Sequence, residues 1–221
     1  MEISTASGSA YSRPKHRPAQ TPVNWATQRS RTFKECGTPL ARGALTRSAR
    51  LRASRETERL LLRPPLSADL DPYIEIHEDP EVRQHLLIPA TSAGRLGAWR
   101  TLALLAGHWQ LRGYGQWTVI EKATHDVIGR VGLWNPEGWP GLEVGWVVRR
   151  SRWSNGFATE AAREAVRFAF EDVGATHLIS MIDPGNPRSI RVAEKIGETF
   201  ERTLTVEGRT VHVYGIEKAV I

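Results

Sequence analysis

Cysteine is nearly absent. The 221 residues hold one, Cys36. A single thiol closes no disulfide within the chain and rules out a zinc site built from cysteine pairs. The six histidines beyond residue 55 (His77, His85, His108, His125, His177 and His212) form no i, i+4 pair, so no metal site is expected. Long apolar runs are missing too. Nothing approaches the ~18 residues of a membrane span, and no apolar signal-peptide core follows Met1. These shortages predict a chain that stays out of membranes, in the reducing cytoplasm. Acidic charge is scarce in one place only. Residues 1–55 carry eleven Lys/Arg against two Asp/Glu, and the remainder nineteen against twenty-two. The net charge of +6 therefore comes from the leading segment.

That segment is rich in Ser, Thr, Pro, Ala and Arg without a sustained period. It cannot bury enough apolar surface to offset its ordering entropy. Residues 1–55 are expected to be a disordered basic extension, with at most a short helix in 39–55. Such an arm either touches nucleic acid or a ribosome, or is a solvated tail. Residues 56–221 are long enough for one domain with a sizeable core.

Residues 58–64 read as a first strand, halted by Pro64 and Pro65. Ser67 or Asp69 would cap a helix to about His77. Asp79-Pro80-Glu81 opens a short one with proline at its first position. Thr91 or Ser92 would cap a longer helix to about Arg112, with Leu96, Trp99, Leu102, Leu105, Ala106 and Trp109 on one face. Three strands follow at 116–121, 127–134 and 142–148, the simplest pairing being an antiparallel meander. A helix over 156–173 and an apolar strand over 177–182 suggest a parallel pair joined by a right-handed crossover. Asn186 and Pro187 open a helix whose Ile190, Ala193 and Ile196 face inward. A hairpin at 198–206 and 210–218 closes the chain, turning at Glu207-Gly208. The predicted class is α/β of the α+β kind, a mixed and mostly antiparallel sheet with helices on both faces.

The chain is organised around residues 142–162. An apolar strand runs through a polar, basic loop into a helix N-terminus. The first turn of a helix leaves N–H groups without partners and carries partial positive charge. Gly156 lets a ligand approach the backbone, and Arg149, Arg150 and Arg152 add full charges. The fitting guest is a phosphate or pyrophosphate.

Trp153-Ser154-Asn155-Gly156-Phe157-Ala158, followed by Thr159-Glu160-Ala161, resembles the pyrophosphate loop of the GNAT acyltransferases. The likeness is strongest to the branch holding the ribosomal-protein-alanine N-acetyltransferases. Gly156 and Ala158 match the general pattern, and Trp153 stands where most members have Gln or Arg. Asn186-Pro187-Arg188-Ser189 resembles the Asn-x-x-Ser that opens the next helix in that branch. The element order resembles the GNAT fold over about 58–218.

The resemblance implies acetyl-CoA as acyl donor and a splay of the parallel strands near 146–148. It implies that backbone groups of Trp146, Val147 and Val148 meet the pantetheine arm. It implies that Asn186 bonds that arm or the tetrahedral intermediate, and that the Ser189 hydroxyl lies near the thioester sulfur. The loop amides from Ser154 to Thr159 would hold the pyrophosphate as a nest. Arg152 would neutralise a phosphate, while Arg149 and Arg150 are as readily solvated.

Acetyl transfer needs a neutral amine, so a base must take its proton. Glu143 interrupts an apolar strand leading into the loop. If it faces a cleft, desolvation raises its pKa toward a useful value; if not, it is an ordinary outward residue. Tyr214 is an alternative acid to Ser189. Trp99, Trp117, Trp134, Trp139 and Trp146 either line an acceptor pocket or pack the core. The expected activity is acetyl transfer from acetyl-CoA to a primary amine, a protein N-terminus or a small molecule. The rival readings are a non-catalytic acyl-CoA-binding module and nucleic-acid binding through the basic segment.

Overall fold

The computed structural model describes residues 53–86, 94–206 and 208–219. Eight strands form one sheet in the order β1-β2-β3-β4-β5-β6-β8-β7. They are β1 (Arg55–Glu56), β2 (Leu60–Arg63), β3 (Gln116–Glu121), β4 (Val127–Trp134), β5 (Glu143–Val148), β6 (His177–Ile182), β7 (Thr199–Val206) and β8 (Arg209–Glu217). All neighbours pair antiparallel except β5 and β6, which are parallel. Five α-helices are described: α1 (Leu70–Glu78), α2 (Pro80–Arg83), α3 (Gly94–Arg112), α4 (Phe157–Phe168) and α5 (Pro187–Ile196). This is the predicted mixed, mostly antiparallel sheet with helices.

The sequence explains most element starts. Asp79 accepts from the Glu81 amide and Pro80 takes the first turn of α2. The Asn186 side chain accepts from the Ser189 amide, with Pro187 next. Asp69 departs from its expected role. Its side chain does not cap α1; it accepts from the Leu66 amide at 2.8 Å, closing the short turn of residues 67–69 before that helix. Its buried carboxylate also grips Arg63 at 2.6 and 2.8 Å and accepts from Thr118 Oγ1. A charged acceptor that is 1% exposed needs a full cation more than a helix start does.

Two other expectations shift. Sheet pairing begins at Arg55, inside the predicted extension, with Arg55 and Glu56 opposite Leu62 and Leu61. In α3 the buried stripe is Ala98, Leu102, Leu105 and Trp109, whereas Leu96 and Trp99 are 61% and 55% exposed. The i, i+4, i+7, i+11 stripe is the one that stays on a single helix face. The proposed caps Thr91 and Ser92, the turn residue Glu207, and the proposed helix over 39–55 except its last three residues lie outside the described residues.

The main core lies between the sheet and α4. It joins Leu60, Leu62, Trp117, Val119, Val131, Leu133 and Val144 to Phe157, Ala161, Ala165 and Phe168. The α4 helix ends at Phe168 and a π-helical turn continues to Val173. Smaller clusters seat α1 and α3 (Tyr73, Leu102, Leu105) and α5 (Ile182, Ala193, Tyr214).

Candidate active site

The β5–β6 pair opens the site. Its one register pair is Glu143 with Ile179, and Ile179 N donates to Leu142 O. Past that point the strands separate. Ser180 Oγ reaches Val144 O at 2.7 Å, and Trp153 Nε1 donates to Val148 O at 2.7 Å. Backbone groups of alternate residues point to the same side of a strand. Leu142, Val144 and Val148 thus have side-facing carbonyls already engaged. Trp146, in the same alternation, turns its backbone into the gap. A cleft of about 670 Å³ fills this opening, a size suited to a small-molecule site.

At one end of the cleft is the loop before α4. Ser154 and Gly156 have φ of 63° and 81°. Two left-handed residues so close together turn successive amides to one side, as in an anion nest. The first helical bond is Glu160 N to Gly156 O. Among the described residues, the amides of Ser154 to Thr159 donate to no carbonyl. The loop is tethered from behind by Arg59, whose Nη1 donates to Asn155 O while Nε bonds Glu160.

The cations are distributed differently from expectation. Arg149 pairs with Glu75, and Arg150 with Asp79. Arg152 lines the cleft but is held by Glu121 at 2.8 Å and faces Asp126. Cleft-lining cations without an ion pair among the described residues include three on α5. Arg188, Arg191 and Lys195 line the cleft at helical spacing, and Arg188 lies 4.8 Å over the Trp153 ring. Sequence reasoning passed over these three, although i, i+3, i+7 basic residues on a helix after the loop were a readable signal.

At the apex, Trp146 Nε1 donates to Ser189 Oγ at 3.2 Å. An indole only donates, so the serine hydrogen is free for another acceptor. The Asn186 Oδ1 is spent on the helix cap. Its amide nitrogen has no partner among the described residues, so capping and ligand binding are compatible.

Glu143 forms the floor on the opposite face of the sheet. Its Oε2 accepts from Trp139 Nε1 at 2.7 Å. Burial pushes its carboxyl up to about 7, against the Trp139 bond, Arg130 and the Met181 backbone. The group is half-buried and lines the cleft, so it is desolvated yet reachable. Gly145 is next along this face. A Cβ there would sit 2.8 Å from Gln116 Nε2 and 3.5 Å from Glu143 Oε1, so glycine keeps that floor open.

Of the residues singled out from sequence, Glu143, Trp146, Val147, Val148, Arg152, Trp153, Ser154, Gly156, Phe157, Ala158, Thr159, Asn186 and Ser189 line this one cleft. Asn155 is in the loop but does not line it. Tyr214 is packed with Ile182 and Ala193 behind the cleft wall and is not among the residues that line it. Trp134, Trp139 and Trp146 line the cleft; Trp117 is core and Trp99 is on the surface. Arg130 and Gln116 also line it and were missed. Arg130 breaks an apolar strand as Glu143 does, and the same reading applied to it would have found it.

The sequence profile of the acetyltransferase (GNAT) domain matches residues 59–199. The uncharacterized protein YkkB of Bacillus subtilis (strain 168) is 36% identical over 107 residues, 47% of this chain and 62% of the relative. The chain thus spans somewhat under two thirds of that relative's length. An uncharacterized N-acetyltransferase, p20 of Bacillus licheniformis, is 28% identical over 165 residues, 72% of this chain and 91% of its own. The crystal structure of an acetyltransferase from Agrobacterium tumefaciens str. C58 superposes with a TM-score of 0.66 at 24% identity, covering 86% of this chain and 100% of that one. With its strand splay, its open amide loop and a domain match over most of its described length, the chain belongs to the acetyltransferase (GNAT) family.

Proposed function

We propose that this acetyltransferase moves an acetyl group from acetyl-CoA to a primary amine by direct attack at the gap between β5 and β6. The observation that carries the reading is Glu143. It is a carboxylate on the cleft floor with its pKa lifted to about 7, across the cleft from an open amide loop. The amides of residues 154–159, with Arg188, Arg191 and Lys195, suit the phosphates of the coenzyme. The Trp146 backbone, with Val147 and Val148 beside it, would meet the pantetheine arm, and Asn186 would donate to it. Arg152 would act at a distance, since its guanidinium is already paired.

An α-amine has a pKa of about 8 and a lysine about 10.4. Glu143 takes the ammonium proton, directly or through water. The freed nitrogen lone pair attacks the thioester carbonyl carbon. The C–N bond forms and the C–S bond breaks; the proton that the acylated nitrogen sheds passes through the Ser189 hydroxyl to the departing thiolate. The products are an acetylated amine and coenzyme A, and no residue is acylated on the way. The domain doing this is residues 56–221, with residues 1–55 as an appended basic segment.

A panel of amines with acetyl-CoA, read by thiol release, tests the reading, with calorimetry of coenzyme binding alongside. Binding without release of thiol above background, for any amine, would make the protein an acyl-CoA sensor instead. Deleting residues 1–52, which stops short of Ala53 and β1, should leave coenzyme binding intact. If nucleic-acid affinity exists and its salt slope disappears with the deletion, that role belongs to the extension.

A further inference from the structure

Arg130 sits on the cleft floor without an anion. In β4, Val131 and Leu133 turn into the core under α4, and Arg130 points to the opposite face, into the cleft. It is paired across the ladder with Thr118 on one side and Val147 on the other. Its Nη1 donates to Gln116 Oε1, and its Nε meets His77 Nε2 at 3.5 Å. Neither partner carries negative charge. Gln116 is neutral, and His77 is held neutral by burial with Arg130 and Arg83 nearby, its pKa lowered to about 3.

The contrast with its neighbour is informative. Arg63 lies opposite the same Thr118 and pairs with the buried Asp69 carboxylate at 2.6 Å, which also accepts from Thr118 Oγ1 and the Leu66 amide. Asp69 is thereby spent. Arg130 makes no ion pair with any carboxylate among the described residues. Burial disfavours its charged form, and only the longer-range influence of Tyr73 and Glu143 opposes this. A desolvated cation without a counter-ion is costly to keep. It is retained where a ligand brings the anion, and the planar guanidinium fork fits a carboxylate through two parallel bonds.

The surroundings continue the pattern. Gln116 Nε2 has no partner among the described residues, and it borders the same vacant point above Gly145 as the Glu143 carboxylate does. Donors for an anion and a base for an ammonium therefore lie side by side, with Trp134 and Trp139 at the walls of the cleft.

Resting on the acetyl-transfer reading above, we propose that the acceptor carries a carboxylate on the same molecule as its amine. Arg130 and Gln116 hold the carboxylate and so present the amine to Glu143. Arg130 is a specificity residue that touches the substrate.

The test compares matched amines that differ in that one group, with the full chain and acetyl-CoA. One arm uses free amino acids against their amides. The second uses short peptides with Asp or Glu at the N-terminus against Asn or Gln, which separates a free amino acid from a peptide side chain as the carboxylate's source. In at least one arm the carboxylated member should have a kcat/KM at least about tenfold higher. Arg130→Gln should bring that ratio to about one through the KM of the amine, with coenzyme affinity unchanged. Turnover with no preference for the carboxylated amines in either arm overturns this proposal alone. So does an intact preference in Arg130→Gln. Coenzyme binding without turnover of any amine overturns the transfer reading and this proposal with it. Should Arg130→Gln fail to fold, the wild-type comparison still decides.

Discussion

The Glu198 carboxyl lies 2.9 Å from Ser180 Oγ, with the serine placed to donate. Ser180 has one hydroxyl proton, and Val144 O is nearer, at 2.7 Å. If the serine donates to Val144, the second contact holds only when the carboxyl carries a proton. Burial pushes that carboxyl up to about 8, with Glu143 and Glu201 adding to the rise. The pair thus ties β6 to β5 just beyond their last backbone pairing, at the point where the strands part.

The stability of the protein should therefore fall as pH rises from about 4.5 to about 8. The folded state holds the Glu198 proton that the unfolded chain releases near its ordinary value, so the folded state binds more protons across that window. The contribution is complete below the unfolded pKa and lost as pH climbs through the folded one. Glu198→Gln, which donates to Ser180 without a proton to lose, should remove that part of the slope. At pH 8 it should be more stable than wild type, by about 1–3 kcal/mol. Urea unfolding at pH 5 and pH 8.5 checks this; equal slopes for the two proteins would show that the carboxyl is ionised in the fold.

Glu143→Gln should lower kcat/KM by about 10²–10⁴ with little loss of coenzyme binding, the usual worth of a positioned base. In the wild type the active form is the deprotonated one, so kcat/KM should rise with pH through about 7, measured with an amine of low pKa. Trp139→Phe removes the donor that favours the carboxylate, so its midpoint should lie higher. A midpoint that stays put would place the titration on another group.

Gly156→Ala should weaken coenzyme binding about tenfold by calorimetry. The residue has φ of 81°, and a side chain there costs about 1–2 kcal/mol. An added Cβ meets only Arg59 Nη2, at 3.5 Å, so the penalty is conformational. The loop would relax and turn its amides away. Unchanged affinity would mean that the phosphates bind elsewhere.

Ser189→Ala should reduce kcat by about 10–10² and leave the KM for acetyl-CoA within about twofold. It also strands the Trp146 indole N–H, at a cost to stability of about 1 kcal/mol. Ser189→Thr keeps a hydroxyl and should recover most of the rate; if it recovers none, the hydroxyl is not the group that meets the sulfur.

The sequence by itself determined the local pieces. Pro80 and Pro187 after capping Asp79 and Asn186 set two helix starts, since a fixed φ and a missing N–H suit the first turn. The apolar spacing of α4 and α5, and the Gly156 and Ala158 of the loop, marked out the strand, loop and helix that line one end of the cleft. Whether Glu143 faced a cleft was left open, because a strand alternates and either face could have been the wet one. Only the tertiary structure decided that, by bringing α1, α2 and α3 over the face that also carries Arg130 and Gln116. It also decided which arginines are free. Charge partners such as Glu121 for Arg152 and Asp69 for Arg63 come from different elements, and pairing across space leaves no mark on spacing along the chain.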